Sequence, residues 1–293
     1  MSNDLLSRIN FAYKTLSKGQ RKLADYIMAN YDRAAFITAA KMGTTVGVSE
    51  STVVRFSYAL GYDGYPELQR ALQDMIRNKL TAVQRIKLNT DMDEDDVLKS
   101  VLKADMQNIR STIENIDNQA FKDAIEALEK AEHIYVIGLR SAAPLAQLLS
   151  YYLNFILDNV VSVSTRMNDI YESMLRIGEN DVCIGISFPR YSARTVEALK
   201  FAKGHNAKII ALTDALHSPI AALADYPLIA KSDMVSFADS FVAPLSLINA
   251  LIVALSLRNE DKVCEHFNML ESVWGTQKVY MAENNQVSHN GKQ

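Results

Sequence analysis

Apolar residues recur at helical spacing through the front of the chain and at strand spacing behind it. Leu5, Ile9, Ala12 and Leu16 form a first helical stripe, Ser17-Lys18-Gly19-Gln20 breaks it, and Leu23, Ile27 and Met28 resume it. The next stretch, AAKMGTTVGVSESTVVRFSYALG, fits a helix-turn-helix with Gly47 as its turn. Met42 and Val46 before that glycine, with Val48, Val53 and Phe56 after it, fall where two helices face each other, and Gly43 where they approach most closely. Ser49 is a good N-cap for the second helix, whose outward positions are Ser51, Thr52 and Arg55. A plain helical hairpin with no DNA role is the other reading of the same pattern. The first part is therefore expected to be all-α.

Beyond Ala131 the pattern changes to short apolar runs, each followed by helix-length sequence. Ile134 to Gly138, Val160 to Val163, Val182 to Ile186, Lys208 to Thr213 and Tyr226 to Ile229 are the strand candidates. Their alternation with helices predicts an α/β domain with a five-stranded parallel sheet covered by helices on both faces.

Between the two patterns, residues 81 to about 132 are polar and helical, interrupted by the acidic run Asp91-Met92-Asp93-Glu94-Asp95-Asp96. Those carboxylates precede a helix carrying Val97, Val101, Ile109, Ile113 and Ile116, where they suit its positive end. The run lacks the glycine and late glutamate of an EF-hand loop. The expected division is 1–80 for a helix-turn-helix domain, 81–95 for a linker, 96–280 for the α/β domain and 281–293 for a polar, disordered tail.

Charge sharpens the division. Through Leu80 there are 11 Lys and Arg against 7 Asp and Glu, and the remainder holds 20 against 27, within a net charge of −3 over 293 residues. A basic front permits a nucleic-acid contact there. Cys183 and Cys264 form no C-x-x-C and no His/Cys cluster, so neither a disulfide framework nor a structural metal is expected, and the reading is cytoplasmic. The start MSNDLLSRINF shows no secretory signal. Phe241 to Leu257 is uncharged, but it is short and holds Pro244, Ser246, Asn249 and Ser256, so a buried or interface helix is expected and no membrane partner.

Polar chemistry gathers where strands end. Ser187, Arg190 and Ser192 follow the third strand, and Gly138-Leu139-Arg140-Ser141 follows the first. In an open α/β sheet ligands bind at the carboxyl ends of strands, where helix amino termini offer unpaired N–H groups to an anion. Two serines and an arginine suit a phosphate, and an ordinary capped strand–turn–helix connection explains the same residues. Thr213-Asp214 and His217 border that edge as ligand contacts or as loop caps.

Two resemblances attach to these residues. The span Leu16 to Leu80, above all VGVSESTVVRFSYALGYDGYPELQ, resembles the helix-turn-helix domain of the RpiR family of bacterial transcription regulators. That family often has basic residues after the core phenylalanine, whereas Phe56 here is followed by Ser57-Tyr58-Ala59. DNA phosphate contacts are therefore expected from Lys41, Arg55 and the segment around Tyr62 and Tyr65, beside Ser49, Ser51 and Thr52. The half from about Ala104 to Leu257 resembles the SIS (sugar isomerase) domain, the phosphosugar-binding part of such regulators.

The second resemblance implies that Ser141, Ser187 and Ser192 hold a sugar phosphate. The loops depart from the usual patterns: GLRSA stands for G-x-G-x-S and SFPRYS for S-x-S-G-x-[ST], so that Arg140 and Arg190 enter. Together the resemblances imply a transcription regulator whose operator affinity is controlled by a phosphorylated sugar, acting as a homodimer or a dimer of dimers. The alternative is a sugar-phosphate isomerase with a helical appendage. Such an enzyme needs a positioned base; Glu197 and His205 sit on a helix away from the strand ends and His217 and Asp239 are the other candidates, and no catalysis is expected. No Walker A loop or dinucleotide fingerprint is present, so no cofactor is expected either.

Overall fold

The computed structural model describes residues 5–77, 83, 94–164, 169–234 and 237–280. Most of the linker expected at 81–95, the start of the acidic run and the tail at 281–293 lie outside the described residues. By its contacts the chain divides into two units: Met1–Asn115 with Phe188–Ser192 and Ala230–Ala243, and Ile116–Ser187 with Ala193–Ile229 and Pro244–Gln293.

The first unit is helical: α1 (Leu5–Ala12), α2 (Lys18–Ala29), α3 (Tyr31–Ala34), α4 (Ala39–Val46), α5 (Glu50–Ala59), α6 (Tyr65–Arg77) and α7 (Val97–Asn115). The break at Ser17 is a capping box, in which the Ser17 hydroxyl accepts from Gln20 N and the Gln20 side chain accepts from Ser17 N. Behind it Ile9, Leu23, Ile27, Met42, Phe56, Leu68, Leu72 and Ile76 are fully buried in one core. Each such side chain contributes about 1.5–3 kcal/mol by leaving water. Carbonyls between α3 and α4 receive side-chain donors from α6: Tyr65 Oη and Gln69 Nε2 donate to Ile37 O at 2.6 and 3.0 Å, and Gln73 Nε2 donates to Ala35 O at 3.0 Å. Burial pushes the Tyr65 phenol up to about 12, so it remains a donor at neutral pH.

Helix α7 buries polar residues and leaves apolar ones exposed. Glu94–Asp96 form a single 3₁₀ turn at its start, Val97 and Ile113 are exposed, and the buried side chains are Asn108 and Thr112. The reason is the segment Ala230–Ala243, which lies on the polar face of α7. Asn108 Nδ2 donates to Asp233 O at 2.9 Å while Asp233 N donates to Asn108 Oδ1 at 3.0 Å. Lys231 N donates to Thr112 Oγ1 at 2.9 Å, and Ser240 Oγ to Asp105 Oδ1 at 2.5 Å. Met234 of the same segment packs on the helical core. Accordingly α7, placed with the second domain by its sequence pattern, groups with the first unit.

The second unit is the expected α/β domain. Its elements are α8 (Asn118–Lys130), β1 (Ile134–Gly138), α9 (Ala143–Ile156), β2 (Val160–Val163), α10 (Ile170–Ser173), β3 (Val182–Ile186), α11 (Ala193–Gly204), β4 (Lys208–Thr213), β5 (Tyr226–Ile229), α12 (Val242–Arg258) and α13 (Glu260–Gln277). All pairings are parallel, in the order β2-β1-β3-β4-β5. Tyr135, Ile137, Cys183, Ile209 and Ala211 join Ala198, Leu199 and Ala202 of α11 in one cluster. The alternate residues Ile134, Val136, Ile184, Ile186, Ile210 and Leu212 are also buried and by the two-residue period point to the opposite face. There α9, which contributes nothing to the first cluster, packs on β1 and β2.

Gly185 lets α11 close on β3, because a Cβ there would overlap the Leu199 side chain. Cys183 lies inside this packing, and burial pushes its thiol up to about 12, which makes it inert. Among the described residues no single helix is long and apolar enough to cross a membrane.

Asn108→Ala strips both partners from the Asp233 backbone and is expected to lower stability by about 1–3 kcal/mol, read as an earlier denaturation midpoint. An unchanged midpoint contradicts this account of α7.

Candidate functional site

The helix-turn-helix is built by three small or capping residues. Helix α4 ends at Gly47, whose φ of 75° lies in the left-handed region, and its N–H donates to Gly43 O. Val48 N donates to the same carbonyl at 2.9 Å. Gly43 allows the turn to lie against α4, since a Cβ there would sit 2.8 Å from Val48 O. Ser49 then caps α5: its hydroxyl accepts from Thr52 N at 3.3 Å and lies 2.9 Å from Ser51 Oγ and 2.8 Å from Thr52 Oγ1.

Helix α5 buries Val53, Phe56 and Ser57 and exposes Ser51 and Arg55, as its pattern predicts. Thr52 is half-buried and faces α2, since a Cβ at Gly19 would lie 3.3 Å from its methyl group. Lys41 is exposed on α4, and the Thr38 hydroxyl accepts from its backbone N–H at 3.2 Å.

Two tyrosines depart from expectation. Tyr62 and Tyr65, expected to help hold DNA phosphates, are buried in the core at 7% and 4% exposure. Tyr62 lies under the Arg8 guanidinium, 4.7 Å from ring centre, and Tyr65 is anchored on Ile37. In their place Tyr58 is 59% exposed. It follows Arg55 by three positions and Ser51 by seven, so helical periodicity carried one turn further along α5 would have included it.

In the α/β unit, β1 and β3 are neighbours although β2 separates them in sequence, so the strand order reverses between them. That reversal is where open sheets of this type leave a crevice. Two of the candidate serines end these strands. Ser187 is buried, and its N–H donates to Leu212 O at 3.2 Å, carrying the ladder one residue past β3. Ser141 is exposed in the 3₁₀ turn Arg140–Ala142, which folds back on the end of β1. Gly138 makes that fold possible, since a Cβ there would sit 2.8 Å from Ala142 O. Pro144 then starts α9, where its missing N–H costs nothing.

Arg140 is exposed, with φ of 57°. Arg190 and Ser192 stand in the segment Phe188–Ser192, which leads from Ser187 to α11 and is counted with the first unit. Arg190 is exposed at φ 63°, and both residues have interactions within the protein. Phe188 of this segment packs on Phe241, with ring centres 5.5 Å apart.

Of the bordering residues, Asp214 is buried with Thr213 Oγ1 at 3.3 Å from its carboxylate, while His217 is exposed. Asp169, an acid that could have neutralised the loop arginines, instead pairs with Arg194 at 3.4 Å and caps its own helix. Just past α11 His205 Nδ1 lies 2.9 Å from Phe201 O, and on the helix Glu197 pairs with Lys200 at 2.8 Å. Among the described residues no three His, Cys, Asp or Glu side chains gather as metal ligands.

These features define a class: a helical module with an exposed recognition helix, followed by an open parallel α/β domain with hydroxyls at its strand-order reversal. Residues 3–79 match the helix-turn-helix domain of the rpiR family, and residues 127–254 match the SIS domain. The chain belongs to the rpiR family of helix-turn-helix regulators that carry a SIS domain.

Among its relatives, an uncharacterized HTH-type transcriptional regulator of Haemophilus influenzae is 28% identical, over 86% of this chain and 91% of that one. The HTH-type transcriptional regulator HexR of Escherichia coli is 27% identical, over 88% and 90%. Among solved structures, the Vibrio vulnificus NanR protein, complexed with ManNAc-6P, is similar at a TM-score of 0.56. It is 23% identical, and the match covers 92% of this chain and 99% of that one, a likeness of fold.

Gly43→Ala places a methyl group against the Val48 carbonyl. It is expected to cost about 1–3 kcal/mol, and thermal melting followed by circular dichroism checks this. A variant that melts with the native protein would mean that the turn has room the structure does not give it.

Proposed function

We propose that the chain is a DNA-binding transcription regulator whose operator affinity is controlled by a phosphorylated sugar bound at the carboxyl edge of its parallel sheet. The observation that carries this reading is the pairing, in one chain, of an exposed recognition helix with serines ending the two strands where the sheet order reverses. The DNA contacts proposed are Lys41, Ser51 and Arg55, with Ser49 and Thr52 fixing the start of α5. The ligand contacts proposed are Arg140, Ser141, Ser187, Arg190 and Ser192, on the loops that follow β1 and β3. The NanR protein, similar in fold, is complexed with a sugar phosphate, which supports that class of ligand here.

The reading is regulatory and not enzymatic, with operator DNA as its partner in the cytoplasm. It is supported by the regulators among the relatives and by the placement of Glu197 and His205, which are occupied with their own helix. Ligand acts by favouring one state of the protein over another, because an effector shifts an equilibrium only through differential affinity.

A homodimer, or a dimer of dimers, belongs to the same proposal, since helix-turn-helix proteins read paired half-sites. Exposed Leu98, Leu102, Met106 and Ile113 run along α7 at helical spacing, and Val253 and Leu257 are exposed on α12. Light scattering at micromolar concentration is expected to give at least twice the monomer mass, and monomer alone would contradict it.

Paired substitutions test the division of labour. Arg55→Ala is expected to weaken operator binding by about 1–3 kcal/mol if it meets a guanine edge, with phosphosugar binding unchanged. Ser187→Ala is expected to do the reverse. Fluorescence anisotropy on DNA and calorimetry on sugar phosphates read the two effects, and a mutant pair that affects both bindings alike would contradict the assignment.

A further inference from the structure

Four non-glycine residues among those described have left-handed backbone: Arg140, Arg190, Asn206 and Lys278. Asn206 is of a type that tolerates the conformation, and Lys278 closes α13 as its C-cap. The two arginines stand in the loops that follow β1 and β3. At Arg140 glycine would relax the backbone, so a side chain kept there against a steric penalty points to a use for that side chain.

The surroundings of Arg140 narrow the use. Its side chain is exposed, and among the described residues its guanidinium has no ion pair or hydrogen bond. Asp169 is taken by Arg194, and Asp214 is buried with Thr213. Among the described residues the positive charge therefore stands without a counter-ion, next to Ser141 in the turn that follows β1, the strand beside the one that Ser187 follows. Hydroxyls and the N–H groups of a helix start are enough for one phosphate. A guanidinium adds a planar fork that holds a carboxylate or a phosphate by two parallel hydrogen bonds.

We infer that Arg140 reads a second anionic group on the ligand, so that the effector class is a doubly anionic sugar phosphate, either a bisphosphate or a phosphorylated sugar acid. This rests on the phosphosugar site proposed above and names its specificity residue.

Calorimetry on the full chain tests it with two matched pairs: fructose 1,6-bisphosphate against fructose 6-phosphate, and 6-phosphogluconate against glucose 6-phosphate. The native protein is expected to bind one doubly anionic member at least about tenfold more tightly than its partner, the gain of a charge-assisted bidentate contact. Arg140→Gly is expected to abolish that preference, losing about tenfold more affinity for the doubly anionic member than for the monophosphate, and, because glycine accepts the left-handed backbone, to melt no lower than the native protein. Arg140→Lys, which keeps the charge but not the fork, is expected to retain only part of the preference.

Native protein that binds a monophosphate equally well overturns the second anion and leaves the phosphosugar site standing. An Arg140→Gly protein that keeps the preference also overturns the role of Arg140. Native protein that binds none of the four overturns the site itself, and the inference with it.

Discussion

Parallel strands cannot be joined by tight turns, and this constraint organises the second unit. Each crossover needs about a dozen residues or more, usually with a helix that covers a face of the sheet, and the hand of the crossovers decides which face. The chain steps from β1 to β2 on one side and from β3 through β4 to β5 on the other. That reversal leaves the ends of β1 and β3 side by side, with helix-forming sequence following each. Gly138 folds the first loop back on its strand, and Gly185 lets α11 close on the second. The polar residues that sequence scatters over some fifty positions, from Arg140 to Ser187, are gathered at neighbouring strand ends by topology alone.

The first unit adds long-range polar contacts to an apolar core. Its core is apolar, yet α7 is fastened by amide and hydroxyl groups that match the backbone of Ala230–Ala243. A buried Asn that both donates and accepts fixes one register of the segment beside it, because any slip leaves four polar groups unpaired. The apolar residues of α7 are thereby left outward. In sequence this segment follows β5, and Phe188–Ser192 follows Ser187, so two stretches continuous with strand ends are grouped with the helical unit.

Much of this was legible in the chain. All five strands fall where the apolar runs place them; β1, β3 and β4 show as continuous runs because they are buried on both faces, while the edge strands β2 and β5 are only partly buried. Gly43, Gly47 and Ser49 were legible because turns and caps accept few residue types. What covers the polar face of α7 was not legible, because its partner lies more than a hundred residues away in sequence. Tyr62 and Tyr65 were misread because an amphipathic ring suits a phosphate or a core equally well. Position counting through G-x-G-x-S and S-x-S-G-x-[ST] sets Arg140 and Arg190 on the glycine positions, which is where φ turns positive, and sets Ala142 on the first motif's serine position, one residue after Ser141. What the sequence offers as two departures is one backbone geometry, met twice.

On the proposed function, DNA and a phosphosugar are coupled ligands of one chain. Coupling of two bindings is reciprocal, so it can be measured from either side. Operator DNA selected by the protein from a random pool should be titrated by anisotropy with and without a sugar phosphate, and the sugar phosphate by calorimetry with and without that DNA. The account predicts that both affinities change by the same factor, about five- to 150-fold. Two affinities that each ignore the other ligand would contradict it.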